Sequence, residues 1–568
     1  MVTESIKQAV AEALTKLGIK NPDVSLEHPE ELSHGDYSTN VALRYAKELK
    51  KKPQDIAEDM VRYIVLQKIP MLAHAEAAAG FANFFLEKEF FVNQVQEILE
   101  KKDDFGKQDV GNGRKVVVEF SSPNIAKPFT IGHLRSTIIG DAVAKTLSFL
   151  GYSVIRDNHL GDWGTQFGKM IVAIKKWGDI QKIAENAAPV RALVDLYVCF
   201  HAEAKTNIAL EDEAREWFVK LEKGDAEARG FWKQCVVWSM KEFEMLYKRL
   251  GVSFDTMHGE SFFEDKMQVV VAELEQKKLL KESEGARLVF FPDDILPPLM
   301  IIKKDGGTLY ATRDLATDAW RKKEYGGGVI IINETGGEQS LYFRQIFMLE
   351  EMLGWFAHGE RVHIGHGLTR GKEGKMSTRE GNTIWLEEVL DEAVKRAEAI
   401  NKETAEIVGI GALKFNDLKR EAKQDTIFDW NDVLNMKGDS GPYLQYSYAR
   451  AMSVLRKGTS SVPTFCRDTS LKGGIIKAPP LKGGGGGVLP RLLYRFPEIV
   501  LRAGMDYAPH FIATYLIELA GAFNNWYAKE RILNAGNETE YRLALTAAFA
   551  QVMKNGLWLL GIAAPEKM

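Results

Sequence analysis

The chain has 568 residues, 45% of them apolar and 27% charged, with a formal net charge of −4 and a pI near 6.3. Single cores rarely outgrow ~250–300 residues, so several domains are expected; the near-neutral balance excludes indiscriminate binding of nucleic acid but not a local basic stripe. No run approaches the ~18 apolar residues of a membrane span, and three cysteines without pairing or metal-ligand spacing predict a cytoplasmic protein with no structural metal and no membrane partner.

Residues 1–20 form an amphipathic helix pattern with acidic residues, unlike a signal peptide. Residues 1–110 read as a small α/β or α+β unit. Two of its segments stand out: 34–40 (HGDYSTN), leading into a helix, and 79–86 (AGFANFFL), an alternating strand. The charged run 100–104 reads as a solvated linker. At Lys115 the pattern changes. Val116, Val117 and Val118 form a β-branched run, the mark of a buried strand, and a Ser-Pro-Asn loop follows. From about Gly132 apolar residues recur at helical spacing: Leu134, Ile138, Ile139, Ala142, Val143 and Leu147. A helix that begins at Gly132 and His133 offers free N–H groups and the positive end of its dipole to an anion. Gly132, lacking a side chain, admits a flat ring or a phosphate close to the backbone.

A second strand is predicted over 152–156, then a loop over 158–168 with Gly161, Gly164 and Gly168. From about 193 to 250 the chain reads as helical, with Trp217, Phe218, Trp232, Trp238, Phe243 and Tyr247 at core-like spacing. We read residues 190–285 as a helical insertion in an α/β fold that resumes with strands at 287–291 and 300–303. A strand-to-helix junction at 308–314 and a buried parallel strand at 329–333 follow. This alternation predicts a doubly wound parallel sheet with its site at the carboxyl ends of the strands. Segment 371–381 (GKEGKMSTREG) is a glycine-flanked loop in which Lys375 supplies a cation. Beyond Thr383 the pattern is almost wholly helical, broken at 457–489 by a low-complexity insertion. There LKGG occurs twice, beside Pro479-Pro480 and a five-glycine run, and disorder is expected.

The tetrapeptide Thr130-Ile131-Gly132-His133 resembles the HxGH signature of class I aminoacyl-tRNA synthetases, and its surroundings resemble arginyl-tRNA synthetases. These are 122–128 (SPNIAKP), 134–137 (LRST) and 158–168 (NHLGDWGTQFG). Segment 371–381 is similar to the family's KMSKS loop, and 439–450 (DSGPYLQYSYAR) to the entry of its anticodon-binding domain. The resemblance implies a tRNA-elbow-binding domain at 1–110, a Rossmann-type catalytic domain at 111–380 and a helical anticodon-binding domain at 381–568. It implies a monomeric arginine–tRNA ligase using ATP, with Mg²⁺ carried by the nucleotide. ATP would be held by Thr130, Gly132, His133, Lys375, Met376 and Ser377. Arginine would be held by Glu119, Ser122, Asn124, Tyr310, Asp314 and Gln339, because a guanidinium calls for a carboxylate fork. Contacts with tRNA are implied for Tyr443, Gln445, Tyr446, Asn83 and Phe85. Two positions depart from the signatures. Thr130 stands where the first His is usual, and Thr378 where KMSKS has its second Lys. Lys127 or Arg379 is expected to compensate, Lys127 in particular. Two other readings stay open on the sequence: a tRNA-binding paralogue with an impaired site, and a nucleotidylyltransferase of the HxGH superfamily.

Overall fold

The computed structural model describes residues 2–304, 306–371, 374–375, 384–461 and 487–568. They form two compact units, each assembled from separate stretches of chain.

The first unit comprises Met1–Phe105, Ala451–Phe496 and Gly521–Val552. Its antiparallel sheet has strands β1 (Tyr37–Thr39), β2 (Leu72–Ala78) and β3 (Phe81–Leu86) in the order β1-β3-β2. Ala79 and Gly80, both at positive φ, make the tight turn between β2 and β3. The conspicuous motif at 34–40 proves to be an internal joint. Asp36 is buried; its Oδ2 accepts from the Leu86 N–H at 2.8 Å, and its Oδ1 accepts from Arg491 Nε at 2.6 Å. Tyr494, three residues on, packs edge-on against His28, Tyr37 and Phe90. Asn83, expected at an exposed position facing tRNA, is instead buried, where its Oδ1 accepts from Ser38 Oγ at 2.7 Å. A small polar side chain on the inner face of a strand satisfies its neighbour rather than a ligand. Phe85 is half-buried and stacks on the exposed His74 ring at 4.1 Å. The charged run at 100–104 is exposed, as expected, and ordered: it ends the helix Lys88–Lys101 and forms the turn Lys102–Asp104, where Asp103 accepts from Gln551.

The second unit comprises Gly106–Arg450, Pro497–Ala520 and Met553–Met568. In chain order its strands are β4 (Lys115–Glu119), β5 (Ser153–Asp157), β6 (Leu280–Ser283), β7 (Ala286–Val289), β8 (Leu299–Ile302), β9 (Ile330–Gly336) and β10 (Arg361–His366). Short strands β11 (Thr369–Gly371), β12 (Gly374–Lys375) and β13 (Thr426–Phe428) follow. The parallel sheet runs β10-β9-β4-β5, and Val116, Val117 and Val118 are fully buried at its centre. The helix Ile131–Phe149 returns over β4, with Gly140 seated against the Phe120 ring, where no Cβ would fit. The insertion is helical as expected (Pro189–Ala204, Ala209–Glu222, Ala226–Leu250), with Trp217, Trp238, Phe243 and Tyr247 buried.

Two expectations are corrected. The segments at 287–291 and 300–303 do not rejoin the parallel sheet; β6, β7 and β8 form their own antiparallel sheet, turned at Glu284-Gly285 with both residues at positive φ. And the region after Thr383 includes β13, which pairs in parallel with β11. Its helices include Leu386–Ala397, Ala405–Leu418, Gly441–Ser461, Phe496–Met505, His510–Lys529 and Thr539–Leu559. Gln445, expected to meet tRNA, is fully buried; its Nε2 donates to the Ile407 and Ala563 carbonyls at 3.1 and 2.9 Å. It fastens helices together, facing Gly411, where a side chain would collide with it. Tyr443 is half-buried and Tyr446 exposed. The helix Gly441–Ser461 enters the low-complexity segment and Val488–Leu493 follows it; residues 462–486 lie outside the described residues.

Candidate active site

The carboxyl ends of β4, β9 and β10 open on a cavity of about 820 Å³. Its phosphate-like end is the start of the helix Ile131–Phe149. The Thr130 N–H points at His133 Nδ1 from 3.0 Å, and Thr130 Oγ1 lies 3.1 Å from the same atom. A backbone N–H can only donate, so Nδ1 is an acceptor, the ring is neutral, and its proton sits on Nε2. Burial, reinforced by the charges of His366 and Lys127, lowers the His133 pKa to about 4. Thr130 is thus part of the device that sets the tautomer of His133. Beside it, a Cβ at Gly132 would meet only Thr130 Oγ1 at 3.5 Å, so the glycine leaves its cavity face clear.

The opposite wall is acidic. Glu119, at the end of β4, accepts from Arg321 Nη2 at 2.6 Å; Arg321 also pairs with Asp157 and, at 3.1 Å, with Asp318. Arg361 joins the network through Asp318 at 2.6 Å and Glu350 at 2.7 Å. Asp314 differs: its Oδ2 accepts from the neutral Tyr342 hydroxyl, and among the described residues no Lys or Arg pairs with it. Burial raises its pKa to about 6, Glu119 and Asp318 adding to the rise, while His159 and the Tyr342 bond oppose it. Tyr310, one helical turn before Asp314, is 57% exposed and packs edge-on against Tyr342 at 4.9 Å.

Between the two ends runs a strained loop. Ser121, Ser122 and Ala126 all have positive φ, a conformation that costs about 1–3 kcal/mol per residue unless the surroundings hold it. They do so here. Tyr247 and Ser121 hydroxyls meet at 2.8 Å, Asn158 Oδ1 accepts from the Ser122 N–H at 3.1 Å, and Ser239 Oγ accepts from the Ala126 N–H at 2.9 Å. The result brings Ser122 and Asn124 to the cavity, with Ser122 Oγ buried and without a hydrogen-bond partner among the described residues. Gly161 is required alongside, because a Cβ there would overlap Asn124. Gln339 stands exposed at the rim, just ahead of the helix Ser340–Leu353.

The cavity therefore unites Glu119, Ser122, Asn124, Thr130, Gly132, His133, Tyr310, Asp314 and Gln339. Lys127 does not join them. It is half-buried beside Gln166, Phe167 and Tyr197, with the cavity-lining Glu260 as its charge neighbour, and its charge reaches His133. Of Lys375 only the backbone is described, in β12 opposite Arg370; Met376, Ser377, Thr378 and Arg379 lie outside the described residues. Sequence reasoning missed His159, Glu260 and the 2.7 Å pair of His366 Nδ1 with Glu334, all lining the cavity. Glu334 follows the buried run of β9, a position where a strand-end polar residue signals a site.

Three family models match the chain. Arginyl tRNA synthetase N terminal domain covers residues 3–86, tRNA synthetases class I (R), catalytic domain covers 94–430, and DALR anticodon binding domain covers 444–568. The chain belongs to the arginyl-tRNA synthetase family. It is 41% identical to the arginine–tRNA ligase of an Exiguobacterium species, over 100% of this chain and 99% of that one. With the arginine–tRNA ligase of Streptococcus suis it shares 42% identity, over 99% and 100%. Among solved structures, the arginyl-tRNA synthetases of Thermus thermophilus (TM-score 0.82, 26% identity, 100% of both chains) and Plasmodium falciparum (0.83, 26%, 100% and 99%) superpose along the whole length. The fold is that of a class I arginyl-tRNA synthetase: a parallel-sheet catalytic domain, an N-terminal domain and a helical C-terminal domain.

Proposed function

We infer that the chain is an arginine–tRNA ligase. It joins the carboxylate of L-arginine to the α-phosphate of ATP with release of pyrophosphate, then passes the arginyl group to a ribose hydroxyl of the 3′-terminal adenosine of tRNA with release of AMP. One observation carries the reading: the same cavity holds a helix N-terminus with a neutral His133 and, on its other wall, a carboxylate that no Lys or Arg among the described residues neutralises. The first suits phosphates and the second a guanidinium.

Activation asks for positioning and charge stabilisation more than for a general base. His133 Nε2–H and the helix N–H groups would face charge developing at the α-phosphate, adenine would lie over Gly132, and Lys375, with Met376 and Ser377, would serve the outgoing pyrophosphate. Mg²⁺, carried in by ATP, would neutralise phosphate charge during the transfer. Asp314, Tyr310 and Glu119 would receive the guanidinium; Asn124, Ser122 and Gln339 would serve the α-amino and carboxylate end. Phe85, Tyr443 and Tyr446 are the tRNA contacts retained. The domains would divide at 1–110, 111–380 and 381–568, and the chain would work as a monomer in the cytoplasm. Among the described residues no helix is long and apolar enough to cross a membrane. An impaired site is disfavoured, because Thr130 holds His133 in its donor tautomer. Pyrophosphate exchange into ATP tests the reading: exchange should require arginine and tRNA together, and exchange with neither, or with another amino acid, refutes it.

A further inference from the structure

Arg135 sits two residues after His133 and is 1% exposed, yet it is not part of the cavity wall. Its Nη1 donates to the Gln424 carbonyl at 2.7 Å, its Nη2 to the Ala422 carbonyl at 3.2 Å, and its Nε lies 3.0 Å from Asp417 Oδ1. A buried guanidinium with a carboxylate and two carbonyls fixes whatever backbone supplies them. That backbone, 422–425, in turn fixes the approach to β11. The Ala422 carbonyl also accepts from the Gly367 N–H at 2.9 Å, Asp425 Oδ1 accepts from the Leu368 N–H at 2.8 Å, and Asp425 Oδ2 accepts from Arg370 Nε at 2.7 Å. Gly367 permits the close approach, since a Cβ there would lie 2.6 Å from the Gln424 carbonyl carbon. β11 then pairs with β13 on one side and with β12 on the other, Arg370 opposite Lys375. The chain returns to the same helix start beyond Thr383. The Ile131 N–H donates to the Ile384 carbonyl at 3.3 Å, and the Leu386 N–H to the Phe129 carbonyl at 2.9 Å.

We propose that Arg135, through the 422–425 turn and Asp425, is a positioning residue that holds β11, and with it Lys375, in one frame with His133. The proposal rests on the role given to Lys375 above. Its mechanism is geometric: a misplacement of about 1 Å at a reacting group costs about 10²-fold in rate. Arg135→Lys keeps the charge but cannot make the three-way contact, and Asp425→Ala removes an exposed side chain whose loss leaves the core untouched.

The test is arginine-dependent pyrophosphate exchange, with tRNA present, on the full chain carrying Arg135→Lys, Asp425→Ala, Lys375→Ala and each pair with Lys375→Ala. The two positioning variants should each lower the rate constant about 10- to 100-fold, with the KM for arginine within about twofold of wild type. Each double variant should be no more than about twofold slower than Lys375→Ala alone, because the effect passes through that lysine. Wild-type rates in Asp425→Ala and Arg135→Lys, losses that multiply in the doubles, or a parallel rise in the KM for arginine overturn the proposal while leaving the lysine's role intact. Full activity of Lys375→Ala overturns that role, and the proposal with it. Should Arg135→Lys fail to fold, Asp425→Ala decides alone.

Discussion

Because the Thr130 N–H occupies His133 Nδ1, this histidine donates from Nε2 without becoming a cation, and its pKa of about 4 keeps it so throughout the working range. The activation rate should then show no histidine limb attributable to His133 between pH 5.5 and 8, as measured in single turnover with arginine saturating. His133→Ala should lower that rate by about 10²–10³, the usual loss for one preorganised donor. Thr130→Ala keeps the N–H and should cost less than tenfold. Asp314 behaves oppositely. Its carboxyl titrates near 6 where an unfolded aspartate titrates near 4, so the folded chain takes up this proton first as pH falls. The raised value makes Asp314 a source of instability at neutral pH that is relieved between pH 6 and 4. A guanidinium needs the charged form, so the KM for arginine should rise about tenfold per unit below pH 6 and stay flat above it. Asp314→Asn should abolish that pH dependence and cost ten- to several-hundredfold in kcat/KM for arginine, with the KM for ATP unchanged. A pH-independent KM in the wild type would remove Asp314 from the guanidinium site. Tyr310 and Asp314 were singled out by the family resemblance, their one-turn spacing putting them on one helix face, and both stand on the cavity wall; Lys127 lies off that wall but within reach of His133, after an Ala126 at positive φ that composition does not announce.

Among the elements, those with a strong apolar signal were legible. β4, β9 and the helix Ile131–Phe149 stand where their Val, Ile and Leu runs put them. β10 escaped notice because RVHIGH mixes its apolar residues with two histidines and an arginine that the folded chain pairs internally. β7 and β8 were assigned to the wrong sheet and β6 was read as part of the helical insertion, since short apolar runs do not declare their partners; the Glu284-Gly285 turn was the available hairpin signal. Helix-on-strand packing also supplies a test. Alanine is about 1 kcal/mol better than glycine inside a helix, so propensity alone favours Gly140→Ala. Its Cβ would overlap Phe120, and overpacking costs about 1–3 kcal/mol. Urea denaturation should therefore find Gly140→Ala less stable than wild type and Phe120→Leu/Gly140→Ala partly restored.

At the scale of the whole molecule, the glycine-rich composition of 470–487 predicts that deleting it leaves aminoacylation and Tm nearly unchanged, because such a composition offers little apolar surface to bury. A large loss of charging would show that the segment folds or touches tRNA. The three-part plan was legible from motifs spread along the chain, whereas Asp36 as partner of Arg491 was not, since 455 residues of sequence separate them. That joint bears on synthesis. A chain leaving the ribosome exposes His28, Tyr37, Phe90 and Phe91 long before Tyr494 exists to cover them. Some 390 residues lie between Phe105 and Phe496, and at ~5–20 residues per second the gap lasts about 20–80 s. For that interval the amino-terminal segment is a half-built nucleus with an aromatic face open to solvent, and a chaperone or a slow stretch of codons would find its purpose there.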